Sequence, residues 1–583
     1  SGLTQTKKSG LAGIDATPAY PLANFSILGV TSMNALRQGK FRLATLISIA
    51  IFAFAVAGCD DGDDGNDGPP GPAGADGSDG VACWDLNENG VGDLPDEDLN
   101  GDGVVDVLDC NALASGAYDA EALHTGYFTE KTYEGTQSCL ACHGDIGDDM
   151  IGKAHFTWKG TAAGIEGFEA GQHGKIDLIN NFCIAVPTNE GRCAQCHAGY
   201  GYTDDTFDFG DRNSVDCLIC HDQSGTYKKG LTNGGLPDVE NGVNLQKVAQ
   251  SVAQNGGIPT MKNCIVCHAN AGGGDNVKHG DLAMALLEAT KDDDVHMGSV
   301  ESGGEDFDCV ACHRVKKVND VQIDHGIGGM IFHSVDDGEM ETCGDCHGDR
   351  NNIHAGKSVE GIVAQHTTLA CQVCHIPAIA RKTSTKTEWY WATAGQDIPE
   401  EDIPKSEDGR NMYDKKKGNF VWTKNVRPEL LYYDGKWNRM MINTNEQYTS
   451  VPVDLGSPSA DYTTPGAMIY PFKKMIGNQV ADAGNNTMLV PHLFGSKGGP
   501  NPYWKVFDWD LALQDGAAYT GQTYSGAFDF VETYMYLTVN HEVAPKEQAF
   551  GNGGACGDCH GGDQIDWAGL GWDGDPVTGG DRP

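Results

Sequence analysis

The sequence has little positive charge. Its 583 residues include 82 Asp and Glu but only 40 Lys and Arg, which gives a formal net charge of −42 at pH 7. Residues 59–110 contain sixteen acidic residues and no Lys or Arg. A chain this acidic repels the phosphate backbone of nucleic acids and attracts cations and basic proteins. We therefore expect no nucleic-acid partner.

Long apolar runs are equally scarce. The one candidate, LATLISIAIFAFAVAG at residues 43–58, follows the basic segment MNALRQGKFR that begins at Met33. It is shorter than the roughly 20 residues that a transmembrane helix needs, and a basic start before a short apolar core is typical of a secretory signal. The letters VAGC ending at Cys59 resemble a bacterial lipobox. We therefore interpret residues 1–32 as upstream of the true start and residues 33–58 as a lipoprotein signal peptide, with Cys59 lipidated; a retained membrane anchor is the alternative.

The next segment, residues 59–82, has a glycine at every third position. These glycines are Gly62, Gly65, Gly68, Gly71, Gly74, Gly77 and Gly80. The period is that of collagen, but seven triplets with few prolines and many like charges are short for a self-supporting triple helix. We therefore expect an extended acidic Gly-X-Y spacer.

Two acidic loops follow in residues 83–110. Their oxygen-bearing side chains recur at the intervals found in the calcium loops of EF-hand and dockerin modules. The expected calcium ligands are Asp85, Asn87, Asn89, Asp93 and Asp96 in the first loop and Asp98, Asn100, Asp102, Asp106 and Asp109 in the second. We predict calcium binding, with a solvated acidic linker as the alternative. A disulfide between Cys83 and Cys110 would close the module outside the cytoplasm, but the sequence leaves that pairing open.

Cysteine and histidine, by contrast, are abundant and ordered. The pentapeptide C-x-x-C-H occurs eight times. Two thiols at this spacing can bond to one haem while the histidine binds the iron, so each copy predicts a covalently attached c-type haem. Zinc sites are the alternative for such cysteines, and eight complete copies make them improbable. The attachment residues are Cys139, Cys142, His143, Cys193, Cys196, His197, Cys217, Cys220, His221, Cys264, Cys267, His268, Cys309, Cys312, His313, Cys343, Cys346, His347, Cys371, Cys374, His375, Cys556, Cys559 and His560.

These motifs determine the predicted fold. Seven of them lie between residues 139 and 375, which is too dense for an ordinary apolar core. Residues 376–555 have no motif but contain six of the ten tryptophans, and the eighth motif follows at residues 556–560. We expect residues 111–583 to form one octahaem domain, mainly α with extensive loops, whose core consists largely of haem and whose residues 376–555 form a cap. An amphipathic helix is expected at DLAMALLEA, residues 281–289.

Eleven histidines remain after the eight motif histidines. Eight of them would be needed if every iron had two histidine ligands. An iron ligated in that way passes electrons but does not readily bind a substrate. Catalysis would therefore require one iron with a different ligand.

Several local sequences show a family resemblance that extends from about residue 139 to the C-terminus. The segments are HFTWKG, NNFCIAVPTNEGRCAQCHAGYGYTDD, VDCLICHDQSGTYKK, GGGDNVKHGDL, DVHM and LACQVCHIPAIARKTSTKTEWYWATAG. They resemble the octahaem cytochromes of the tetrathionate reductase family, which are related to hydroxylamine oxidoreductase-type multihaem enzymes. The resemblance implies seven haems with two histidine ligands and one active-site haem whose distal ligand is a lysine.

The same resemblance implies a set of ligands and catalytic residues. The distal iron ligands would be His155, His279, His296, His325, His354, His366, His541 and Lys278. This assignment leaves His124, His173, His333 and His492 as surface or neighbouring residues. The active-site haem would be the one attached at Cys193, Cys196 and His197, with Cys183 and Asp275 beside Lys278. A lysine must lose its proton to bind iron, which burial promotes; a solvated surface lysine and an inert buried cysteine are the alternatives for Lys278 and Cys183.

We therefore expect a lipid-anchored octahaem reductase outside the cytoplasm, on the outer membrane or cell surface, that accepts electrons from redox partner proteins. Its substrate would be a small anion such as tetrathionate or nitrite, or hydroxylamine. An anion needs a positive pocket in so acidic a protein, for which Arg192, Lys357 and Arg381 are unranked candidates. The alternative is a cell-surface electron conduit that turns over no substrate, which the spacer and calcium module favour. The sequence does not indicate an oligomeric state.

Overall fold

The computed structural model describes residue 105 and residues 120–318, 321–329, 336, 338–442 and 444–582. Every described residue belongs to one compact unit, Val81–Pro583. The signal peptide, the spacer and all ten predicted calcium ligands lie outside the described residues. They stay predictions.

The α-helices are short and lie mostly around the haem motifs. They are α1 (Ala120–Glu130), α2 (Gln137–Leu140), α3 (Gly144–Met150), α4 (Ala154–Thr157), α5 (Glu190–Cys193), α6 (Leu218–His221), α7 (Leu245–Ser251), α8 (Met261–His268), α9 (Cys343–His347), α10 (Arg350–His354), α11 (Glu360–Gln365), α12 (Cys371–His375), α13 (Tyr503–Val506) and α14 (Trp509–Thr520). Single turns of 3₁₀ helix occur at Ala194–Cys196, Arg212–Ser214, Val239–Asn241, Gln254–Gly257, Met284–Glu288, Val300–Ser302, Cys309–Ala311, Trp391–Thr393, Glu400–Asp402, Asn552–Gly554 and Cys556–Asp558.

Each haem motif forms about one helical turn because of its spacing. Residues i, i+3 and i+4 lie on the same face of a helix, so both cysteines and the histidine of C-x-x-C-H project in one direction. The turn at Cys343–His347 begins with a capping box, in which Thr342 and Asp345 satisfy each other's free backbone amides. The turn that ends at His268 begins in the same way, with Thr260 and Asn263.

The strands are concentrated in the cap. They are β1 (Lys159–Thr161), β2 (Gln172–Gly174), β3 (His313–Val318), β4 (Val321–Ile327), β5 (Glu339–Met340), β6 (Thr385–Tyr390), β7 (Tyr413–Asp414), β8 (Gly418–Thr423), β9 (Glu429–Tyr433), β10 (Trp437–Arg439), β11 (Val453–Pro458), β12 (Met468–Asp482), β13 (Thr487–Met488) and β14 (Phe528–Thr538). One mixed sheet of nine strands has the order β10-β11-β14-β12-β6-β8-β7, with β9 and β13 also paired to β12. Smaller sheets are β1-β2 and β4-β3-β5.

Strand β12 is the centre of the large sheet. Its fifteen residues pair antiparallel with β14, from Phe472 opposite Thr538 to Asp482 opposite Phe528. It also pairs parallel with β6, where Gly477 lies opposite Trp389. Aromatic and β-branched side chains, which favour strands, pack on both faces of this sheet.

The cap was expected, but its sheet was not. The prediction of a mainly α protein with extensive loops describes the haem-motif region and misses the nine strands of the cap. The helix predicted at residues 281–289 is also wrong, since only Met284–Glu288 forms a 3₁₀ turn. Two side chains of that segment make tertiary interactions. Asp281 accepts hydrogen bonds from the backbone of Asn540 and His541, and Leu286 is buried.

The described part of the chain contains no helix that is both long and apolar enough to cross a membrane.

We predict that Phe472→Ala destabilises the cap by about 3–5 kcal/mol, because a fully buried aromatic ring leaves a cavity when it is removed. The ring packs within 5.6–6.2 Å of the rings of Tyr433, Trp437, Tyr470 and Tyr536. The free energy of unfolding can be measured with denaturant. Ile476→Ala, at an exposed position of the same strand, is the control and should cost below about 1 kcal/mol. Equal losses in the two variants would contradict this view of the core.

Candidate multihaem site

The haem motifs border one connected cavity of about 3380 Å³. Side chains from seven of the eight motifs line it. The residues predicted as distal ligands line it as well: His155, His279, His296, His325, His354, His366, His541 and Lys278. The predicted distal ligands and six of the eight predicted proximal histidines therefore share one space, while His143 and His197 are not among its lining residues.

Six histidine pairs face each other at nearly the same distance. The ring-centre separations are 5.9 Å for His124 and His143, 6.2 Å for His155 and His268, 6.0 Å for His296 and His347, 6.1 Å for His313 and His541, 6.2 Å for His354 and His375, and 6.0 Å for His366 and His560. Two imidazole nitrogens that each bind one metal at about 2 Å place the ring centres about 6 Å apart. The spacing therefore fits an iron between the two rings of each pair.

Hydrogen bonds orient several of these rings. A ligating histidine usually donates its second N–H to a carbonyl or carboxylate, which fixes the tautomer and leaves the other nitrogen for the metal. Nδ1 of His313 contacts the Gly328 carbonyl at 2.7 Å, and Nδ1 of His560 contacts Asp575 at 2.8 Å. Nδ1 of His541 contacts Asp281 at 3.2 Å, and this carboxylate raises the pKa of His541 although burial opposes it. In each case Nε2 remains for the iron.

The position of His124 differs from the sequence-based assignment. That assignment left His124 without an iron to bind, whereas its ring faces that of His143. Its Nδ1 lies 2.8 Å from the Ala120 carbonyl, one turn earlier in α1, which leaves Nε2 for the metal. A sequence signal existed: His124 falls on a helix shortly before the first motif.

His279 lines the cavity beside Lys278 and does not belong to the six facing pairs. Among the motif histidines, His221 and His197 also lie outside these pairs within the described residues. Nδ1 of His221 bonds to the Gly257 carbonyl at 2.9 Å, and His325 is the histidine that acts most strongly on its ring. Nδ1 of His325 is in turn 3.4 Å from Asp149.

His197 is the exception among the motif histidines. It is fully buried, and its Nε2 is hydrogen-bonded to the carbonyl of Phe156. Its Nδ1 has no hydrogen-bond partner within the described part of the chain. The rings of Phe156, Trp158 and Tyr202 enclose it at 5.1–5.3 Å. Nε2 of His197 would have to exchange this carbonyl for the iron in the haem-loaded protein.

Two other leftover histidines lie apart from the facing pairs. His492 is buried and uses both ring nitrogens, with Nδ1 3.4 Å from Asp515 and Nε2 3.0 Å from the Phe494 carbonyl. It is therefore a structural residue. His173 lies in β2, 3.4 Å from Asp177. His333 lies outside the described residues.

Cysteines of different motifs meet side by side. Cys139 and Cys217, Cys196 and Cys267, Cys264 and Cys309, and Cys343 and Cys371 are the cysteine pairs that interact most strongly. Weaker electrostatic interactions link Cys220 to Cys264, Cys312 to Cys346, and Cys374 to Cys559. When the motifs are numbered in chain order, they therefore form a continuous series 1-3-4-5-6-7-8. The second motif, at residues 193–197, joins this series beside the fourth.

Lys278 and Cys183 border the same glycine turn. A Cβ added to Gly273 would lie 2.8 Å from Sγ of Cys183, and one added to Gly272 would lie 3.2 Å from Cβ of Lys278. Both glycines have positive φ, 84° and 93°, a conformation that favours glycine. Sγ of Cys183 also lies 3.7 Å from the Gly272 carbonyl. The thiol and the lysine are therefore neighbours, and both line the cavity.

The environment of Lys278 makes its deprotonation easier. Burial, followed by the charges of Lys175 and Arg439, lowers the pKa of Lys278 to about 8. The side chain is only half-buried by surface area because it opens onto the cavity. A free amine is the form that can bind iron.

Asp275 is held by other residues. Arg410 donates to its carboxylate at 2.9 Å and to its backbone carbonyl at 2.7 Å, and the Met284 amide donates to the carboxylate at 2.8 Å. This geometry favours a role in positioning the Lys278 segment over a role as a proton donor.

A lysine of the cap fixes the backbone that carries Lys278. Lys473 of β12 is completely buried, and its Nζ donates to the carbonyl of Val277 at 2.7 Å, to that of Lys278 at 3.1 Å and to Oγ1 of Thr385 at 2.7 Å. Burial lowers the pKa of Lys473 to about 7. Thr385 in turn donates to the carbonyl of Asn276 at 2.6 Å. Side chains of the sheet therefore fix the backbone of residues 276–278 through hydrogen bonds to its carbonyls.

The chain is similar to a solved structure over most of its length. That structure is octahaem cytochrome c from Shewanella oneidensis, with 37% sequence identity, a TM-score of 0.62, and coverage of 79% of this chain and 97% of that chain. The chain belongs to the octahaem c-type cytochromes. A family model described as bacterial cytochrome c matches residues 386–563 of this cytochrome. An uncharacterized protein of Archaeoglobus fulgidus is 26% identical over a 239-residue alignment, and the match covers 33% of the cytochrome and 77% of that protein.

Electron transfer through c-type haem is thus the general function of this cytochrome. The family match at residues 386–563 covers most of the cap together with the eighth motif. The cap is therefore part of the cytochrome family's own structure. The specific substrate does not follow from these similarities.

We predict that Lys473→Met changes the spectrum of the haem that Lys278 is expected to ligate. The variant keeps the side-chain volume but leaves two buried carbonyls without a donor, which costs about 1–3 kcal/mol each and loosens the Lys278 segment. Electron paramagnetic resonance of the oxidised cytochrome is the measurement. The control is Lys474→Met, the next residue of β12, whose partly exposed amine lies 3.4 Å from Glu429. The same spectrum in wild type and Lys473→Met would contradict the predicted support.

Proposed function

We propose that this cytochrome reduces a small sulfur or nitrogen oxyanion at the haem attached through Cys193 and Cys196. The observation that carries the proposal is the position of Lys278 and Cys183, an amine and a thiol on two sides of one glycine turn at the cavity. A bound haem would supply electrons at an iron that has no second histidine.

The residues of this site have distinct proposed roles. Lys278 occupies or guards the sixth position of the iron, and its lowered pKa makes the free amine easier to form. Cys183 contacts a sulfur-containing substrate. Asp275, paired with Arg410, orients the lysine segment. Lys473 fixes the same segment from the sheet. His197 would complete the site once its Nε2 exchanges the Phe156 carbonyl for the iron.

Tetrathionate is the favoured substrate because it is the named substrate of the family that the sequence resembles. Two electrons break its central S–S bond and yield two thiosulfate ions, with no net proton uptake. Nitrite and hydroxylamine remain candidates, but their reduction to ammonia consumes protons. Asp275, the carboxylate beside Lys278, is already bound by Arg410 and is poorly placed to deliver protons. The site therefore suits tetrathionate reduction better than reactions that consume protons.

We propose eight covalent haems, one for each C-x-x-C-H motif. Seven irons would have two histidine ligands. The facing pairs support His124 as a distal ligand in place of His279. His325 is the proposed partner of His221. His155, His296, His354, His366 and His541 keep the roles that the sequence predicted.

Outside the haem domain, the proposals rest on sequence alone. Bacterial c-type cytochromes are typically extracytoplasmic. We propose that a lipid on Cys59 holds this one at the outer membrane or cell surface, that residues 59–82 form a spacer, and that residues 83–110 bind calcium. Redox partner proteins would supply or remove the electrons.

A second candidate function is a cell-surface conduit that transfers electrons without turning over a substrate. The continuous series of seven neighbouring motifs favours it, since such a series can pass electrons from one end of the domain to the other. The branch to the second motif is the feature that a pure conduit does not need.

We predict that Lys278→Ala changes the spectrum of one haem and alters turnover of tetrathionate. Loss of turnover is expected if the amine takes part in the reaction, and faster cyanide binding is expected if it only blocks the iron. Stopped-flow absorbance and steady-state kinetics are the measurements. Unchanged spectrum and turnover would remove the active-site assignment and favour the conduit.

We also predict that His124→Ala converts one low-spin bis-histidine haem to another ligation state, because His124 faces His143 at 5.9 Å. His279→Ala should leave all seven bis-histidine signals intact. Intact mass should show the same number of haems in both variants, so that a loss of signal reflects ligation and not attachment. The reverse pattern would restore His279 to the ligand set.

A further inference from the structure

Two positive side chains act on Lys278 and form no close ion pair with a carboxylate of the described residues, although Asp454 acts on one of them, Arg439, at longer range. Lys175 follows β2, is exposed and lines the cavity. Its Nζ lies 4.4 Å from the ring centre of Trp158, and that ring packs against His197 at 5.1 Å. Lys175 also acts electrostatically on Cys193, Cys196 and Lys278. It is therefore beside the second motif.

Arg439 is the second of these cations. It belongs to β10, stacks on Trp437 at 4.0 Å and lies over Gly456, where a Cβ would meet its Nη1 at 2.1 Å. This Nη1 is buried and has no hydrogen-bond partner within the described residues. A guanidinium group deprived of both water and acceptors is unfavourable. Burial lowers the pKa of Arg439 to about 10, so the group keeps its charge at neutral pH.

Other cations of this region are neutralised. Lys229 is 2.9 Å from Asp216, and Lys159 is 3.2 Å from Asp177. The candidates from the sequence are also accounted for. Arg192 donates to the Leu231 carbonyl at 3.1 Å, Arg381 donates to the carbonyls of Asp292 and Glu542 at 2.7 and 2.8 Å, and Lys357 lies beside His354, in the seventh-motif region. By contrast, the described residues provide no carboxylate within 4.0 Å of the charged groups of Lys175 and Arg439.

We propose that Lys175 is the anion-recognition residue of the cavity beside the second motif, that the positive charge of Arg439 adds to its attraction for anions, and that this charge selects oxyanions over neutral hydroxylamine. The proposal rests on the reductase function proposed above and adds its specificity. Lys175 supplies a mobile point charge that is accessible from the cavity, whereas Arg439 is not one of the lining residues and contributes through its charge alone.

A haem propionate is a carboxylate with the same recognition chemistry, so the test must separate it from a substrate anion. A propionate partner is part of the cofactor, and its loss would disturb the haem for every substrate. A substrate partner is absent from the resting protein, and its loss would affect only charged substrates.

The experiment compares Lys175→Met, Lys175→Arg and Lys247→Met in the haem-loaded protein. Lys247 is an exposed lysine of α7 and serves as the control for a change of net charge. Steady-state kinetics with tetrathionate, nitrite and hydroxylamine give KM for each substrate, and a redox titration gives the haem potentials. We expect Lys175→Met to raise KM for both anions by about tenfold, the effect of one lost charge-assisted contact, with hydroxylamine changed less than about twofold. Lys175→Arg should recover most of the loss.

The proposal is overturned if KM for hydroxylamine rises with that of the anions, or if a haem potential shifts in Lys175→Met, because either result indicates a propionate partner. It is also overturned if Lys247→Met has the same effect as Lys175→Met. If the wild type reduces none of the three compounds, the proposed function fails separately. Calorimetric titration of the oxidised holoprotein with tetrathionate then tests the subsite: weaker binding to Lys175→Met and to Arg439→Gln supports it, and equal binding rejects it.

Discussion

Two imidazoles that share one iron must face each other with their ring centres about 6 Å apart, and this requirement organises the chain. It joins residues that are far apart in sequence, such as His313 with His541 and His366 with His560. The helices of the motif region are too short to form a core by packing against one another. Histidine pairs that share an iron would connect these segments instead. The second nitrogen of several rings is fixed by carbonyls and carboxylates of the surrounding loops.

The cap contributes to the site through its sheet. Lys473 projects from β12 and donates to the carbonyls of Val277 and Lys278, so the strand with the most extensive pairing in the protein carries the support of the proposed active-site lysine. Burial of an amine is costly unless its donors are satisfied, and here three acceptors satisfy them. A sheet is suited to this task because β12 is paired along its whole length, first with β9 and then with β14 and β6.

The haem motifs could be predicted because C-x-x-C-H is a local signal, in which i, i+3 and i+4 meet on one helical turn. The distal ligands have no local signal, since the two residues that share an iron are brought together only by the fold. His124 and His279 illustrate the difficulty: both are histidines near a motif, and only the facing ring of His143 distinguishes them. The sheet was missed for another reason. The tryptophans of residues 376–555 were interpreted as packing of a cap, and most residues of β12 are buried on both faces, so the strands lack the simple apolar and polar alternation that marks a half-exposed strand in a sequence.

The distribution of cations follows from the strong net negative charge. Most arginines and lysines near the cavity are bound by backbone carbonyls or carboxylates, which fold the loops around the haem motifs and leave no charge for a ligand. The long-range field of a chain with net charge −42 opposes the approach of an anion, but mobile ions screen that field beyond about 8 Å at physiological ionic strength. An anion that has entered the cavity therefore responds mainly to the nearest charges. Lys175 can attract it there, with the charge of Arg439 in support, because neither side chain forms an ion pair with a carboxylate of the described residues, and the acidity of the remaining surface does not prevent recognition at short range.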